Sequence, residues 1–142
     1  MSILFAVNTI PLCCHAAHRS VETIYFEDGS YLVTEMMISN SRASGSVNGS
    51  KPSTYYNSSG VAQWKAVLSG SFSFTGSTSS CTSSSMDVII LDSSWYTISK
   101  NATRGGNSAT GSASIGEKAG GVTVTKIPVN LTLSCDVNGN LS

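Results

Sequence analysis

Gln63-Trp64-Lys65-Ala66-Val67-Leu68-Ser69-Gly70-Ser71-Phe72-Ser73-Phe74 is the stretch that decides the fold. Trp64, Ala66, Leu68, Gly70, Phe72 and Phe74 share one parity, and Gln63, Lys65, Val67, Ser69, Ser71 and Ser73 share the other. Side chains of an extended chain alternate between two faces, so one face here is apolar and the other mostly polar. That is the pattern of an antiparallel strand covered on one side. The run is long for one strand, and Gly70 predicts a bend or bulge within it.

The same grammar extends in both directions. Val21–Glu27 and Ser30–Ser39 flank Asp28-Gly29, a hairpin signal. Ser41–Ser53, rich in Ser and Gly, reads as a loop or a poorly packed edge strand, and Ser53–Tyr56 as a short strand turning at Asn57–Gly60. A meander follows: Ser80–Leu91, a turn at Asp92-Ser93, Ser94–Thr103, a turn at Gly105-Gly106, Asn107–Glu117, a turn at Gly120-Gly121, and Gly121–Cys135. In the last strand Ile127, Val129, Leu131, Leu133 and Cys135 share a face, while Val122 and Val124 have the opposite parity. A bulge near Lys126-Ile127-Pro128 is therefore expected, with Pro128 marking an edge. About eight strands with no helical period predict an all-β antiparallel sandwich, or alternatively a partly open barrel.

Composition fits this reading. Of 142 residues, 28 are Ser and 13 Thr, and only 11% are charged. Mean hydropathy is +0.08, so the low charge reflects a hydroxyl-covered surface rather than disorder. The formal net charge is zero and the cations are scattered singly, which argues against nucleic acid and against electrostatic docking on anionic membranes.

The only long apolar run, Ile3–Cys14, is followed by His15-Ala16-Ala17-His18 and reads as the tail of a secretory signal peptide lacking its basic start. It is too short to span a bilayer. The rival reading is an ordinary first β-strand. The expected division is a leader over 1–17 and a single β domain over 18–142, extracellular or at the cell surface, with no stable membrane span in the mature chain. Cys13 and Cys14 would leave with the leader. Cys81 and Cys135 would remain, at the same end of the meander, and an exported chain usually pairs its last two cysteines. Such a disulfide would close a loop of roughly 54 residues and contribute about 4 kcal/mol.

Chemistry is scarce. Both histidines, His15 and His18, sit at the leader boundary, so the domain lacks the imidazole that Ser- or Cys-based catalysis needs. No zinc spacing, phosphate loop or nucleophile elbow occurs. No catalytic residue, metal site or cofactor is expected. Glu35, between Thr34 and Met36, is a candidate buried acid, but reads better as the solvent side of an alternating strand. Asp136-Val137-Asn138-Gly139-Asn140 resembles part of a calcium loop, but lacks the distal Glu and reads better as a turn. Tyr55, Tyr56, Trp95 and Tyr96 are the candidate surface aromatics for binding. Each is one of an adjacent pair, so one member of each pair should face outward; Trp64 belongs to the core.

Tyr55–Ala66, Ser94-Trp95-Tyr96 and Val122–Val129 resemble a group of small uncharacterised exported proteins of Gram-positive anaerobic bacteria, a likeness that covers residues 20–142. The resemblance implies export and one β domain, and transfers no functional residue. The expected role is non-enzymatic binding of a protein partner or a glycan by a secreted or surface β-sandwich. The alternatives are a self-assembling structural subunit, which would use an exposed sheet edge, and a carboxylate-dependent glycan hydrolase.

Overall fold

The computed structural model describes residues 3–12, 19–38 and 45–142, with side chains described from Val21 onward. Its elements are β1 (Ile3–Leu12), β2 (Arg19–Phe26), β3 (Tyr31–Glu35), β4 (Met37–Ile38), β5 (Ser46–Tyr56), β6 (Ala62–Phe74), β7 (Ser79–Ile90), β8 (Trp95–Gly105), β9 (Ser108–Ala119) and β10 (Val122–Ser134). They form two antiparallel sheets rather than a closed barrel. One is seven-stranded in the order β1-β2-β3-β5-β6-β7, with β4 beside β5, and the other runs β10-β9-β8. Among the described residues the chain changes sheet once, in the turn between β7 and β8.

β6 carries the alternation predicted for it. Trp64, Ala66, Leu68 and Phe72 are buried, and β7 turns Met86 and Cys81 to the same side. The facing sheet supplies Ala109, Ala113 and Ile115 from β9, and Ile127, Val129, Leu131 and Leu133 from β10. Gly111, on the inward parity of β9, leaves room for the side chains above it. A Cβ there would stand 2.8 Å from Met86 Sδ and 2.9 Å from Leu68 Cδ1. Large residues on β6 and β7 thus pack into a furrow of small ones on β9.

Several expectations are corrected. Ser46–Ser53 is neither loop nor edge: it is the first part of β5, a central strand paired with β6 on one side and with β3 and β4 on the other. Residues 41–44 lie outside the described residues. The predicted strand Ser30–Ser39 is broken at the buried Met36, between β3 and β4; Ser39 also lies outside the described residues. In β10 the register shifts between Thr123 and Thr125, earlier than expected, while Pro128 does sit on an edge strand. The expected leader overlaps β1, which pairs with β2 from Ile3↔Phe26 to Leu12↔Arg19; residues 13–18, with Cys13, Cys14 and both histidines, are outside the described residues. No helix among the described residues is long and apolar enough to cross a membrane.

The edges of the smaller sheet are guarded. On β10, Ser134 exchanges two hydrogen bonds with Ser142, at 3.0 and 2.9 Å. In an antiparallel strand the N–H and C=O of alternate residues point to the same side. Ser134, Thr132, Asn130 and Pro128 therefore turn their backbone groups to the open edge. Thr132 O accepts from Lys51 Nζ at 2.6 Å, and Pro128 has no N–H to offer. On β8, Lys100 and Arg104 pair with Ala113 and Ala109 of the inward parity and reach out of the flank. Lys100 meets Asp87 at 3.5 Å, and Arg104 donates to Cys81 O at 3.2 Å. Inward charges, prolines and short covering segments are the devices that keep an edge from recruiting another chain.

Candidate binding surfaces

The four aromatics singled out in the sequence divide by parity. Tyr55 lies opposite Trp64 and stacks on it, with ring centroids 5.3 Å apart and planes 6° apart. Trp95 meets Tyr55 edge-on at 5.1 Å and donates from Nε1 to Gln63 Oε1 at 3.2 Å. Tyr55 and Trp95 are 3% and 4% exposed, so they are core residues and leave the set of binding aromatics. Their phase follows from Trp64: cross-strand register forces Tyr55 inward, and the sandwich then folds Trp95 over the pair. Burial pushes the Tyr55 phenol up, and a hydrogen bond with Ser30 pulls it part of the way back.

Tyr56 and Tyr96 face outward. Tyr56 ends a row across three strands, since Tyr25 pairs with Tyr31 and Tyr31 with Tyr56. The centroids are 5.8 and 5.0 Å apart, and the Tyr31 and Tyr56 planes differ by 17°. Tyr31 and Tyr56 stack face to face, while Tyr25 is tilted by 43° to Tyr31, so the three rings are not coplanar. The row is a ridge rather than a flat platform. Elsewhere on the same sheet Ile89 and Leu91, across β6 from β5, and Val61, in the β5–β6 turn, are about half exposed. Tyr25 and Tyr31 are not among the aromatics that adjacency in sequence marks out. The Asp28-Gly29 signal does not give this pairing: a two-residue turn there sets Tyr25 against Leu32, whereas the chain closes a three-residue loop, with Phe26 N donating to Ser30 O, and so places Tyr25 opposite Tyr31.

Tyr96 stands on the outer face of the three-stranded sheet, opposite Gly116. A Cβ on Gly116 would be 2.9 Å from two ring carbons of Tyr96, so the ring lies across the glycine. The phenol is hydrogen-bonded to Thr123 Oγ1, and Lys118 Nζ sits 4.7 Å from the ring centroid.

Cys81 and Cys135 do reach the same end of the sandwich. Their backbone N–H groups donate to successive carbonyls of the β8–β9 turn, Cys81 to Gly106 at 2.8 Å and Cys135 to Asn107 at 3.0 Å. The expected disulfide between them is nevertheless not formed. Each sulfur is turned to a carbonyl of its own strand end: Cys81 Sγ to Ser83 O at 3.2 Å and Cys135 Sγ to Asp136 O at 3.3 Å. The hairpin turn lies between the two backbones and holds that end with hydrogen bonds instead, including Asn107 Nδ2 to Cys135 O at 2.7 Å. Burial pushes the Cys81 thiol above its ordinary value, which disfavours the reactive thiolate.

The acidic candidates do not build a catalytic pair. A cleft of about 230 Å³ opens where β10 stops short of covering β2 and β3, and Glu22, Glu35 and Lys51 line it. Glu22 pairs with Thr34 and Glu35 with Val21, so the two residues have opposite parity on the sheet although both border the cleft, and they are not set side by side as a pair. On the cleft floor Thr34 and the fully buried Ser53 share a 2.8 Å hydrogen bond. Burial lowers the Lys51 amine, and the charge of Glu22 opposes that shift. The Asp136 carboxylate is occupied by its own loop, accepting from Asn138 N, Asn140 N and Asn140 Nδ2 at 2.8–3.0 Å. It is a turn and not a cation loop. Among the described residues no group of three His, Cys, Asp or Glu side chains gathers to hold a metal.

Comparison with known proteins finds nothing similar to this chain: no protein-family model, no curated protein and no solved structure matches it.

Proposed function

We propose that the protein is an exported β-sandwich that acts by binding, without chemistry of its own, and that its principal contact surface is the outer face of the larger sheet. The observation that carries this is the ridge Tyr25-Tyr31-Tyr56. Its three rings lie outside the buried core and are aligned by register, and exposed Ile89 and Leu91 lie beyond β6 on the same sheet. Tyrosine offers a large, stiff, amphipathic surface at low entropic cost, which is why it is favoured at contact sites. A row of stacked and tilted rings, with no coplanar pair set side by side, suits a protein groove better than the flat face of a sugar, so a protein partner is the first expectation and a glycan the second. The apolar Ile3–Cys14 run, followed by His15-Ala16-Ala17-His18, supports export. Assembly through the edges of β8 and β10 draws no support from their guarded state.

The test compares the wild type with the Tyr31→Ala/Tyr56→Ala double variant for binding to immobilised cell-surface proteins and to a glycan array. Loss of binding at least tenfold, with the near-ultraviolet signal of the Trp64–Trp95 core unchanged, is the expected result. A double variant that binds as the wild type does would sink the ridge. Sequencing the N-terminus of the exported product checks the leader, and a start at Ala17 or His18 is expected.

A further inference from the structure

We infer a second, separate site: the cleft between β3 and β10 binds a free apolar α-amino acid, with Lys51 taking its carboxylate and Glu22 its ammonium. Strand register carries the inference. Glu22, Thr34 and Ser53 form one row across β2, β3 and β5, and Ile24 and Leu32 stand in the next row. Leu32 and Ser53 are buried, so side chains of this parity face the space between the sheets. Lys51 shares that parity, two residues before Ser53 on β5. Val129 and Leu131 close the cleft from β10. The two charged heads are therefore sent into one cleft by strand phase, at different places along it, with apolar side chains beside them.

Neither charge is neutralised there. Lys51 and Glu22 stay more than 4.0 Å apart, although the Glu22 charge is felt at the amine. Among the described residues the partner of Lys51 is the neutral Thr132 carbonyl, at 2.6 Å, which leaves two of its three N–H groups to give. A half-buried ammonium without a counter-ion is unfavourable, and an incoming carboxylate relieves it. The edge of β10 adds backbone groups to the same cleft. The alternation that turns Ser134 to Ser142 also turns the Thr132 N–H and the Asn130 C=O out of the open edge. The Thr132 N–H lies beside the carbonyl that Lys51 caps and joins Lys51 as a donor to a carboxylate. The Asn130 C=O, one outward step back along the strand, is an acceptor for an ammonium. Ile24, Leu32 and Leu131 offer an apolar bed to a side chain. The volume, about 230 Å³, lies below the range for drug-sized ligands and admits a molecule the size of leucine. Opposite charges at two places in one small cleft select a zwitterion over an acid or an amine alone. This cleft lies on the inner face of the larger sheet and the tyrosine ridge on the outer face, so neither site depends on the other.

Isothermal titration of the full chain with leucine, leucinamide, 4-methylpentanoate and glycine tests it. Leucinamide lacks the carboxylate, 4-methylpentanoate the ammonium and glycine the side chain. Leucine should bind saturably at millimolar concentration, and each analogue about tenfold more weakly or worse. Glu22→Gln should weaken leucine about tenfold and leave 4-methylpentanoate unchanged. Lys51→Gln should weaken leucine by a similar factor and leave leucinamide unchanged. A residue that only supports the fold would shift all the ligands alike. No saturable binding of leucine would overturn the proposal. So would an analogue that binds as tightly as leucine, or full leucine affinity in either variant with the near-ultraviolet signal of the Trp64–Trp95 core intact. The analogue series is read on the wild type, so it decides the question even where a variant fails to fold.

Discussion

Ser30 shows how much one small residue can organise in a sandwich made of hydroxyls. It is fully buried, hydrogen-bonds the Asp28 carboxylate through both hydroxyl and backbone N–H, and also touches the Tyr55 phenol. The Ser30 hydroxyl, then its backbone N–H, hold the Asp28 carboxyl below its ordinary value. A carboxylate with a depressed folded pKa adds stability above its unfolded value, about 3.9, and loses it as the pH falls through the folded value. Asp28 is largely in solvent, so screening limits this contribution to about 0.5 kcal/mol. Ser30→Ala should therefore destabilise the protein at pH 7, and the gap from wild type should narrow as the pH falls below about 4. Urea unfolding at both ends of that range measures it. A gap that stays constant would show that only the loss of packing at Tyr55 matters. The sequence made Asp28-Gly29 legible as a turn. It could not disclose that Ser30 ties the turn to the aromatic core, because that tie spans β3 and β5.

At the scale of elements, legibility followed the side chains that strands bury. β6 and the last half of β10 were readable because their inward residues are large and apolar. β5 was not, because its inward residues Val47, Gly49, Lys51 and Ser53 hide a central strand behind an edge-like composition. Each exception has a local cause: Leu141 fills the space over Gly49, Lys51 extends to the carbonyl of Thr132, and Ser53 bonds to Thr34. The aromatic pairs were half legible for the same reason. Alternation says that one of two neighbours faces out, and only register with Trp64 says which. The role of Lys51 as a cap on the open β10 edge carries a prediction. Lys51→Met with Pro128→Val frees the Thr132 carbonyl and restores an N–H at 128, farther along the same edge, giving an edge that can pair. Light scattering after gel filtration should find a higher mass for this double variant than for wild type over about a hundredfold concentration range. If the two proteins co-elute throughout, these residues do not guard the edge.

At the scale of the molecule, the described strands of the two sheets are joined in sequence by the single β7–β8 turn, so pieces that bridge the sheets contribute to their packing. The C-terminal segment is one such piece. Ser142 and Leu141 pair with Ser134 and Cys135 of the smaller sheet, while the Leu141 side chain lies on Gly49 of the larger one, beside Leu133. Leu141 is 6% exposed, so its truncation to Ala should cost about 2–4 kcal/mol, the usual penalty for emptying such a site. Gly49→Ala attacks the same contact from the other side. Its Cβ would collide with Leu141 and stand 3.2 Å from the Met37 carbonyl, which is backbone and yields little. Overpacking of this kind costs about 1–3 kcal/mol. If the two residues form one contact, shortening Leu141 makes room for the new methyl. The double variant should then be less destabilised than the sum of the singles, by about 0.5–1 kcal/mol in an unfolding cycle. Simple additivity would mean that Leu141 and Gly49 act separately, and that the tail does not fasten one sheet to the other.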